Sequence, residues 1–194
     1  MGKRILCLGD SNTYGYNPRS PLGGRYPESV RWTGRLRQAG YDVVNCGQNG
    51  LSIPVRERDL MDFRDLILRN QPTDLVTVML GSNDLLQSPT PDAETAGRRM
   101  EDFLRFVMVP GVRFLLTAPS PMQRGTWVTD DRLVIESAGL AQCYLNTAEI
   151  LGIAFADAWA WNVELSFDGV HFTPDGHASF AAGMAEILEG ILDG

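Results

Sequence analysis

Residues 4–12, Arg-Ile-Leu-Cys-Leu-Gly-Asp-Ser-Asn, decide the fold class of this chain. Four consecutive apolar residues, 5–8, are followed directly by a glycine and three small polar residues. A short apolar run that ends in turn residues is typical of a strand buried on both faces of a parallel sheet. We therefore expect a strand at residues 4–8, with Ser11 in the turn that leads away from it.

Short apolar runs and amphipathic stretches alternate along the rest of the chain. Alternating strands and helices are typical of a parallel sheet covered by helices on both faces. The pattern predicts an α/β fold, a three-layer α/β/α sandwich with a mainly parallel five-stranded sheet, in one domain over residues 1–194. The further strands are expected at residues 42–46, 75–80, 113–117 and 153–155, and the helices at residues 30–38, 57–70, 93–107, 131–151 and 174–192.

Composition narrows the class of partner. The formal charge of -7 and the thin spread of Lys and Arg disfavour a nucleic-acid partner, which needs clustered positive charge. The apolar runs are too short for a membrane span or a signal peptide, so we expect no membrane partner and a cytoplasmic protein. The odd number of cysteines, Cys7, Cys46 and Cys143, favours reduced thiols with structural roles.

Ser11 is the first candidate for chemistry. A serine in a turn at the end of a strand lies in the crevice of a doubly wound sheet, with an accessible hydroxyl. The same segment could cap a helix, or hold a phosphate as in a flavodoxin-like phosphate- or nucleotide-binding module. Residues 9–12 alone leave these alternatives open.

A second candidate follows the apolar strand at residues 75–80. Residues 81–84 read Gly-Ser-Asn-Asp, and the amide of Asn83 could donate a hydrogen bond to a developing oxyanion. The alternative is a simple turn, which these four residue types form readily.

The third candidate is the Asp-Gly-Val-His segment at residues 168–171. A carboxylate three residues before a histidine can fix the tautomer that the imidazole needs to act as a base, which pairs Asp168 with His171. The other histidine, His177, falls inside a predicted helix, where packing or capping is the expected role. The spacing of the two histidines matches no standard metal site, so we expect no metal.

Together, these three segments resemble the conserved blocks of the SGNH hydrolases, also called GDSL esterases and lipases. They occur in the order of that family and cover nearly the whole chain. Residues 31–34, Arg-Trp-Thr-Gly, look most like its aryl-esterase and acyltransferase branch. Residues 45–51 occupy the place of the family's glycine block. The chain has no Gly-x-Ser-x-Gly motif, which argues against the α/β-hydrolase fold.

The resemblance implies a serine esterase that needs no cofactor and acts on a small-molecule ester. It implies that Ser11 is the nucleophile, His171 its base and Asp168 the partner that orients the base. The implied oxyanion hole consists of the backbone N–H of Ser11, the side-chain amide of Asn83 and a glycine N–H. We choose Gly50 for the last, with Gly47 as the alternative.

Two departures from the family concern specificity rather than chemistry. Asn12 replaces the leucine of the GDSL name, and a Leu-Ser pair at residues 51–52 replaces a more polar stretch. Neither is expected to touch a catalytic atom, so they bear on subfamily and substrate. The residues expected to contact substrate are Asp10, Trp32 and Phe172, with Tyr14 and Tyr16 as further aromatic candidates for the crevice wall.

Residues 14–27 and 88–91 interrupt the alternation and are predicted to be loops. The first contains three prolines and three glycines and begins three residues after Ser11, so it must run beside the crevice. Its apolar side chains, Tyr14, Tyr16, Leu22 and Tyr26, would be exposed in a monomer. We therefore expect a homo-oligomer with a narrow active-site mouth and a preference for short acyl groups. The alternative is a loop that folds back on its own domain.

Overall fold

The computed structural model describes residues 2–192. Within them lies one sheet of five strands in the order β2-β1-β3-β4-β5, with every neighbouring pair parallel. This strand order is that of a doubly wound fold and confirms the predicted α/β class. The strands are β1 (Arg4–Gly9), β2 (Asp42–Gly47), β3 (Leu75–Met79), β4 (Arg113–Ala118) and β5 (Ala154–Asp157).

Helices connect the strands and cover both faces of the sheet. The helices are α1 (Ser11–Tyr14), α2 (Trp32–Gln38), α3 (Glu57–Arg69), α4 (Ser82–Leu86), α5 (Ala93–Val107), α6 (Asp131–Leu151) and α7 (Pro174–Leu192), with a 3-10 turn at Ala158–Trp161. The bounds of α5, α6 and α7 agree with the prediction, and those of α2, α3 and the strands differ by one or two residues.

Alternate residues of each strand enter two separate apolar cores. In β1, Leu6 and Leu8 pack with the side of the sheet covered by α3, α5 and α6, where Phe103 is fully buried. Ile5 and Cys7 pack on the opposite side, with α2 and α7. This burial on both faces explains why β1 has a continuous apolar sequence rather than an alternating one.

The short helix α4 was not predicted, and here the structure corrects the sequence interpretation. A turn at residues 81–84 was the alternative interpretation, but residues 82–86 are helical, so the predicted loop at residues 88–91 follows a short helix. Five residues are too few to show a helical period. The backbone of Gly81 has a φ of 117°, and a Cβ there would lie 2.3 Å from the Tyr144 hydroxyl. Only glycine fits this sharp change from strand to helix.

The loop at residues 14–27 packs largely on its own domain. Tyr26 is buried, with its ring edge-on to that of His177 at a centroid distance of 5.4 Å. Tyr14 and Tyr16 are half-buried, whereas Leu22 is 93% exposed. Of the four side chains expected to lie open in a monomer, only Leu22 does so.

The three cysteines are free thiols, as expected. Cys7 packs in the core beside α2 and α7, whereas Cys46 packs against the opposite core, so the sheet separates them. Burial raises the pKa of all three thiols, which favours their protonated form. No helix within residues 2–192 is long and apolar enough to span a bilayer.

Candidate active site

The carboxyl edge of the sheet gathers the three candidate segments. Ser11 begins α1 directly after β1, and Asn83 lies in α4 directly after β3. His171 lies in the loop that precedes α7. Because all the strands are parallel, their carboxyl ends share one edge, and the segments that follow them meet there.

Ser11, His171 and Asp168 form a continuous hydrogen-bonded chain. The Nε2 atom of His171 lies 3.0 Å from Oγ of Ser11, and its Nδ1 atom lies 2.7 Å from Oδ2 of Asp168. All three residues are buried, and Asp168 is fully so. The arrangement places a nucleophile, a base and a base-orienting carboxylate at the distances that proton transfer requires.

Asp168 is ionised in this setting. Burial by itself would raise the pKa of its carboxyl group, but hydrogen bonds from the side chain and backbone of His171 and from the backbone of Val170 outweigh it. The net result is a lowered pKa. The backbone N–H groups of Val170 and His171 both donate to Oδ1, at 2.9 and 3.0 Å. A carboxylate on Nδ1 holds the imidazole proton there, which leaves Nε2 free to accept from Ser11.

A small pocket opens beside Ser11 and His171. Its volume is about 190 Å³. Asn83 and Gly50 lie on its wall, as the family resemblance implies, and so does Tyr16. The lining residues are Ser11, Tyr16, Asn49, Gly50, Asn83, Leu86, Trp127, Val170 and His171.

The structure separates the two glycines considered for the oxyanion hole. Gly47 is the last residue of β2, and its N–H donates to Oδ1 of Asn45 at 2.9 Å, so it is already occupied. Gly50 lies on the pocket wall, and its N–H has no acceptor in the described part of the chain. Its φ of 71° lies in the left-handed region, which glycine adopts without strain. This geometry favours Gly50.

Side chains of α4 and of Gln87, the residue that follows it, hold the loop that carries Gly50. The Asn83 amide donates to the carbonyl oxygen of Leu51 at 3.1 Å, and the Gln87 amide donates to that of Gly50 at 3.1 Å. Since an amide has two N–H groups, this bond still leaves Asn83 one donor for a ligand.

Asp84 adds a buried tether to the same loop. Its Oδ2 accepts from the backbone N–H of Ile53 at 2.9 Å, and its Oδ1 accepts from Arg99 at 3.2 Å. Burial raises the pKa of Asp84, although both hydrogen bonds oppose the rise. Ile53 lies three residues beyond Gly50, so Asp84 restrains the far end of this loop.

The three residues expected to contact substrate do not line the pocket. Trp32 and Phe172 are both about 1% exposed and pack against Phe180 beneath the site. Asp10 caps α1, and its Oδ1 accepts from the N–H of Asn12 at 2.9 Å. The two rings and the carboxylate are engaged in internal contacts. The expectation that these three residues contact the substrate is therefore corrected.

Trp127 lies at the site although the sequence did not predict it there, and the same holds for Leu86. Trp127 is 52% exposed, and its ring meets that of His171 edge-on at a centroid distance of 5.0 Å. The backbone N–H of Trp127 donates to the carbonyl oxygen of Asp168 at 3.1 Å. A Cβ on Gly125 would lie 2.4 Å from the backbone of Asp168, so only glycine permits this close approach. The Gly-Thr-Trp stretch at residues 125–127 gave no local signal of this contact.

His177 occupies the packing role that was expected of it. It is fully buried, and its Nδ1 accepts from the backbone N–H of Trp32 at 3.4 Å. Burial, with the nearby charges of Arg35 and Arg31, lowers its pKa to about 3. His177 is therefore neutral at physiological pH, and it does not line the pocket.

The structure disfavours phosphate binding at the first turn. The carboxylate of Asp10 already accepts the N–H of Asn12 at the start of α1, where a phosphate would otherwise bind. Within residues 2–192, no group of three or more His, Cys, Asp or Glu side chains is arranged to hold a metal ion.

Comparison with known proteins identifies the family of the chain. The model of the GDSL-like lipase/acylhydrolase family matches residues 7–179. An aryl esterase of M. smegmatis is 25% identical, with 98% of this chain and 100% of that chain covered and a TM-score of 0.84. A carbohydrate acetylesterase family member from Sinorhizobium meliloti is also 25% identical, with 98% and 99% covered and a TM-score of 0.85.

No curated protein matches the chain significantly. The family model nevertheless spans the segments that carry Ser11, Asn83 and His171, and the structural matches extend over almost the full length of both partners. The chain belongs to the GDSL-like lipase/acylhydrolase family, the SGNH hydrolases, and is a carboxylic ester hydrolase.

Proposed function

We propose that this ester hydrolase acts on short-chain carboxylic esters through an acyl-enzyme on Ser11. The observation that carries the proposal is the buried chain of hydrogen bonds from Ser11 through His171 to Asp168, at 3.0 and 2.7 Å. It opens on a pocket large enough for a small acyl group.

The proposed reaction has two steps. Oγ of Ser11 attacks the ester carbonyl carbon while Nε2 of His171 takes the hydroxyl proton. The tetrahedral oxyanion accepts hydrogen bonds from the backbone N–H groups of Ser11 and Gly50 and from the Asn83 amide. His171 then returns the proton to the leaving alcohol. In the second step water attacks the acyl-enzyme with the same base, which releases the acid and restores Ser11.

The pocket supports a preference for short acyl groups. Its volume of about 190 Å³ is below the roughly 300–1,000 Å³ usual for sites that enclose drug-sized ligands. Leu86 and Val170 both lie on its wall, so part of the wall near Ser11 is apolar. An acetyl or propionyl group fits these dimensions better than a fatty acyl chain.

Acyl transfer to an alcohol is proposed as a side activity. The rings of Tyr16 and Trp127 flank His171 at centroid distances of 4.7 and 5.0 Å. Apolar rings around the base reduce the water near the acyl-enzyme and offer an organic alcohol a surface to bind.

A homo-oligomer also remains a prediction. Three apolar side chains near the candidate site or on the loop beside it are largely exposed: Leu22, Trp127 and Phe167. Large apolar side chains exposed near a site are candidates for contact with a second subunit. Light scattering coupled to size-exclusion chromatography tests this: an oligomer is expected, and a strict monomer would contradict it. A cytoplasmic location also remains a prediction. So does the expectation that the protein binds no nucleic acid, which the net charge of -7 supports.

One screen tests the proposed function. p-Nitrophenyl esters from acetate to palmitate, run beside a panel of acetylated sugars, should give the highest kcat/KM with acetate or propionate. Ser11→Ala is the matched control. It removes only the attacking oxygen and leaves the rest of this buried residue in place. Equal turnover by Ser11→Ala, or a preference for palmitate, would contradict the proposal.

A further inference from the structure

The side chain of Asn12 grips the backbone on both sides of His171. Its Nδ2 donates to the carbonyl oxygen of Val170 at 3.0 Å, and its Oδ1 accepts from the N–H of Phe172 at 3.0 Å. Both bonds are buried and join residues about 160 positions apart in the sequence. One amide side chain therefore connects the nucleophile turn with the histidine loop.

The backbone groups of His171 itself are occupied from within its own loop. Its N–H donates to Oδ1 of Asp168 at 3.0 Å, and its carbonyl oxygen accepts from the N–H of Ser166 at 2.7 Å. Any shift of His171 relative to Ser11 must therefore break at least one buried hydrogen bond, which is costly because the groups left behind have no water.

Asn12 is in turn fixed by two neighbours. Its N–H donates to Oδ1 of Asp10 at 2.9 Å, and its carbonyl oxygen accepts from the indole Nε1 of Trp32 at 3.1 Å. Ser11 is the preceding residue in α1. Asn12 is therefore held in place at both ends. It is joined to the nucleophile through the chain and to the backbone around the base through its side chain.

We propose that Asn12 is a positioning residue: its carboxamide sets the separation of 3.0 Å between Oγ of Ser11 and Nε2 of His171. This inference rests on the proposed roles of those two residues. The leucine from which the GDSL motif takes its name is close to asparagine in size, but it can neither donate to Val170 nor accept from Phe172. A chain with leucine here must hold its histidine loop by other contacts.

Two substitutions separate positioning from packing. Asn12→Leu removes both hydrogen bonds with little change of size. Asn12→Asp keeps the acceptor for Phe172 but replaces the donor to Val170 by a second oxygen. Thr13→Val is the matched control: Thr13 is the next residue of α1, fully buried, and its hydroxyl has no partner among the residues described.

We expect kcat of Asn12→Leu to fall roughly 100-fold, the loss typical of an ångström-scale misplacement, while KM changes little. The rate of labelling of Ser11 by a fluorophosphonate should fall in parallel. Hydrogen exchange at the N–H of Phe172 should accelerate in Asn12→Leu and stay slow in Asn12→Asp. Thr13→Val should match the wild type in all three measurements.

The outcomes distinguish this inference from the proposed function. Full activity in Ser11→Ala would overturn the proposed function itself. A Ser11-dependent wild type with a folded Asn12→Leu of unchanged kcat would overturn the role of Asn12 alone. If Asn12→Leu does not fold, a folded Asn12→Asp of unchanged kcat would overturn the role of Asn12 instead. Failure of both to fold, where Thr13→Val folds, would also overturn it, because Asn12 would then be required for folding rather than for positioning.

Discussion

The imidazole Nε2 of His171 lies 3.0 Å from the hydroxyl oxygen of Ser11, although 160 residues separate them. Ser11 is placed by the end of β1 and His171 by the loop that leads into α7. Neither position depends on the other through the local chain, so the contact exists only in the folded protein. It makes Ser11 the residue whose loss should matter most.

Ser11→Ala should fold normally and lose ester hydrolysis, because it removes the attacking atom and little else. Intact mass after treatment with a fluorophosphonate should show one adduct on the wild type and none on the variant. Labelling that persisted in Ser11→Ala would assign the nucleophile to another residue.

Asn83→Ala should lower kcat by roughly 10²–10³-fold with little change in KM, since it removes one donor to the oxyanion. Steady-state kinetics with p-nitrophenyl acetate measures both constants. Asn146→Ala is the control, because Asn146 lies exposed on α6, away from the pocket. A kcat similar in the two variants would reduce Asn83 to a structural residue that holds Leu51.

His171→Ala should abolish activity, whereas His177→Gln should keep most of it. Glutamine retains an acceptor for the N–H of Trp32 that His177 now binds. Initial rates of the folded variants test this ranking, and the reverse order of the two histidines would contradict the assignment.

Asp10→Asn should change how stability depends on pH. Burial raises the pKa of Asp10 from 3.8 to about 6, against the hydrogen bond from Asn12 and the nearby His171. Between these values the folded state holds a proton that the unfolded state has lost, so the contribution of Asp10 to stability falls as pH rises. The free energy of unfolding of the wild type minus that of Asp10→Asn should therefore decrease between pH 4 and 7.

Urea unfolding of both proteins across this pH range measures that difference. His177, whose lowered pKa makes stability fall as pH drops below its ordinary value of 6.5, is present in both proteins and cancels. A difference that grew with pH would contradict the raised pKa of Asp10.

Leu86→Ala should shift the enzyme towards longer acyl chains. The side chain of Leu86 lines the pocket, so its truncation lengthens the space beside Ser11. The ratio of kcat/KM for hexanoate over acetate should rise by roughly 10-fold, within the range of one or two methylenes in an apolar pocket. Leu68→Ala, on the surface of α3, is the control and should leave the ratio unchanged. An unchanged ratio in Leu86→Ala would place the acyl group elsewhere.

The strands and the long helices could be predicted from the sequence, because burial leaves a mark in the local pattern of apolar residues. The run at residues 5–8 is apolar without interruption, and the bounds of α5, α6 and α7 follow from amphipathic periods of many residues. The helix α4 had no such mark, since its five residues span little more than one turn. Short elements were therefore missed where long ones were found.

The residues around the pocket also fall into two groups: those that a local motif predicts, and those that only tertiary contacts bring to the site. Ser11, Asn83 and His171 lie in short motifs whose order matches a known family, so the sequence by itself determined the fold class and the candidate chemistry. The tertiary structure alone decided that Trp127 contacts His171 and that Asn12, rather than a substrate, engages Phe172. Such contacts join segments distant in the chain, and they depend on how two loops pack, which no local pattern of residues encodes.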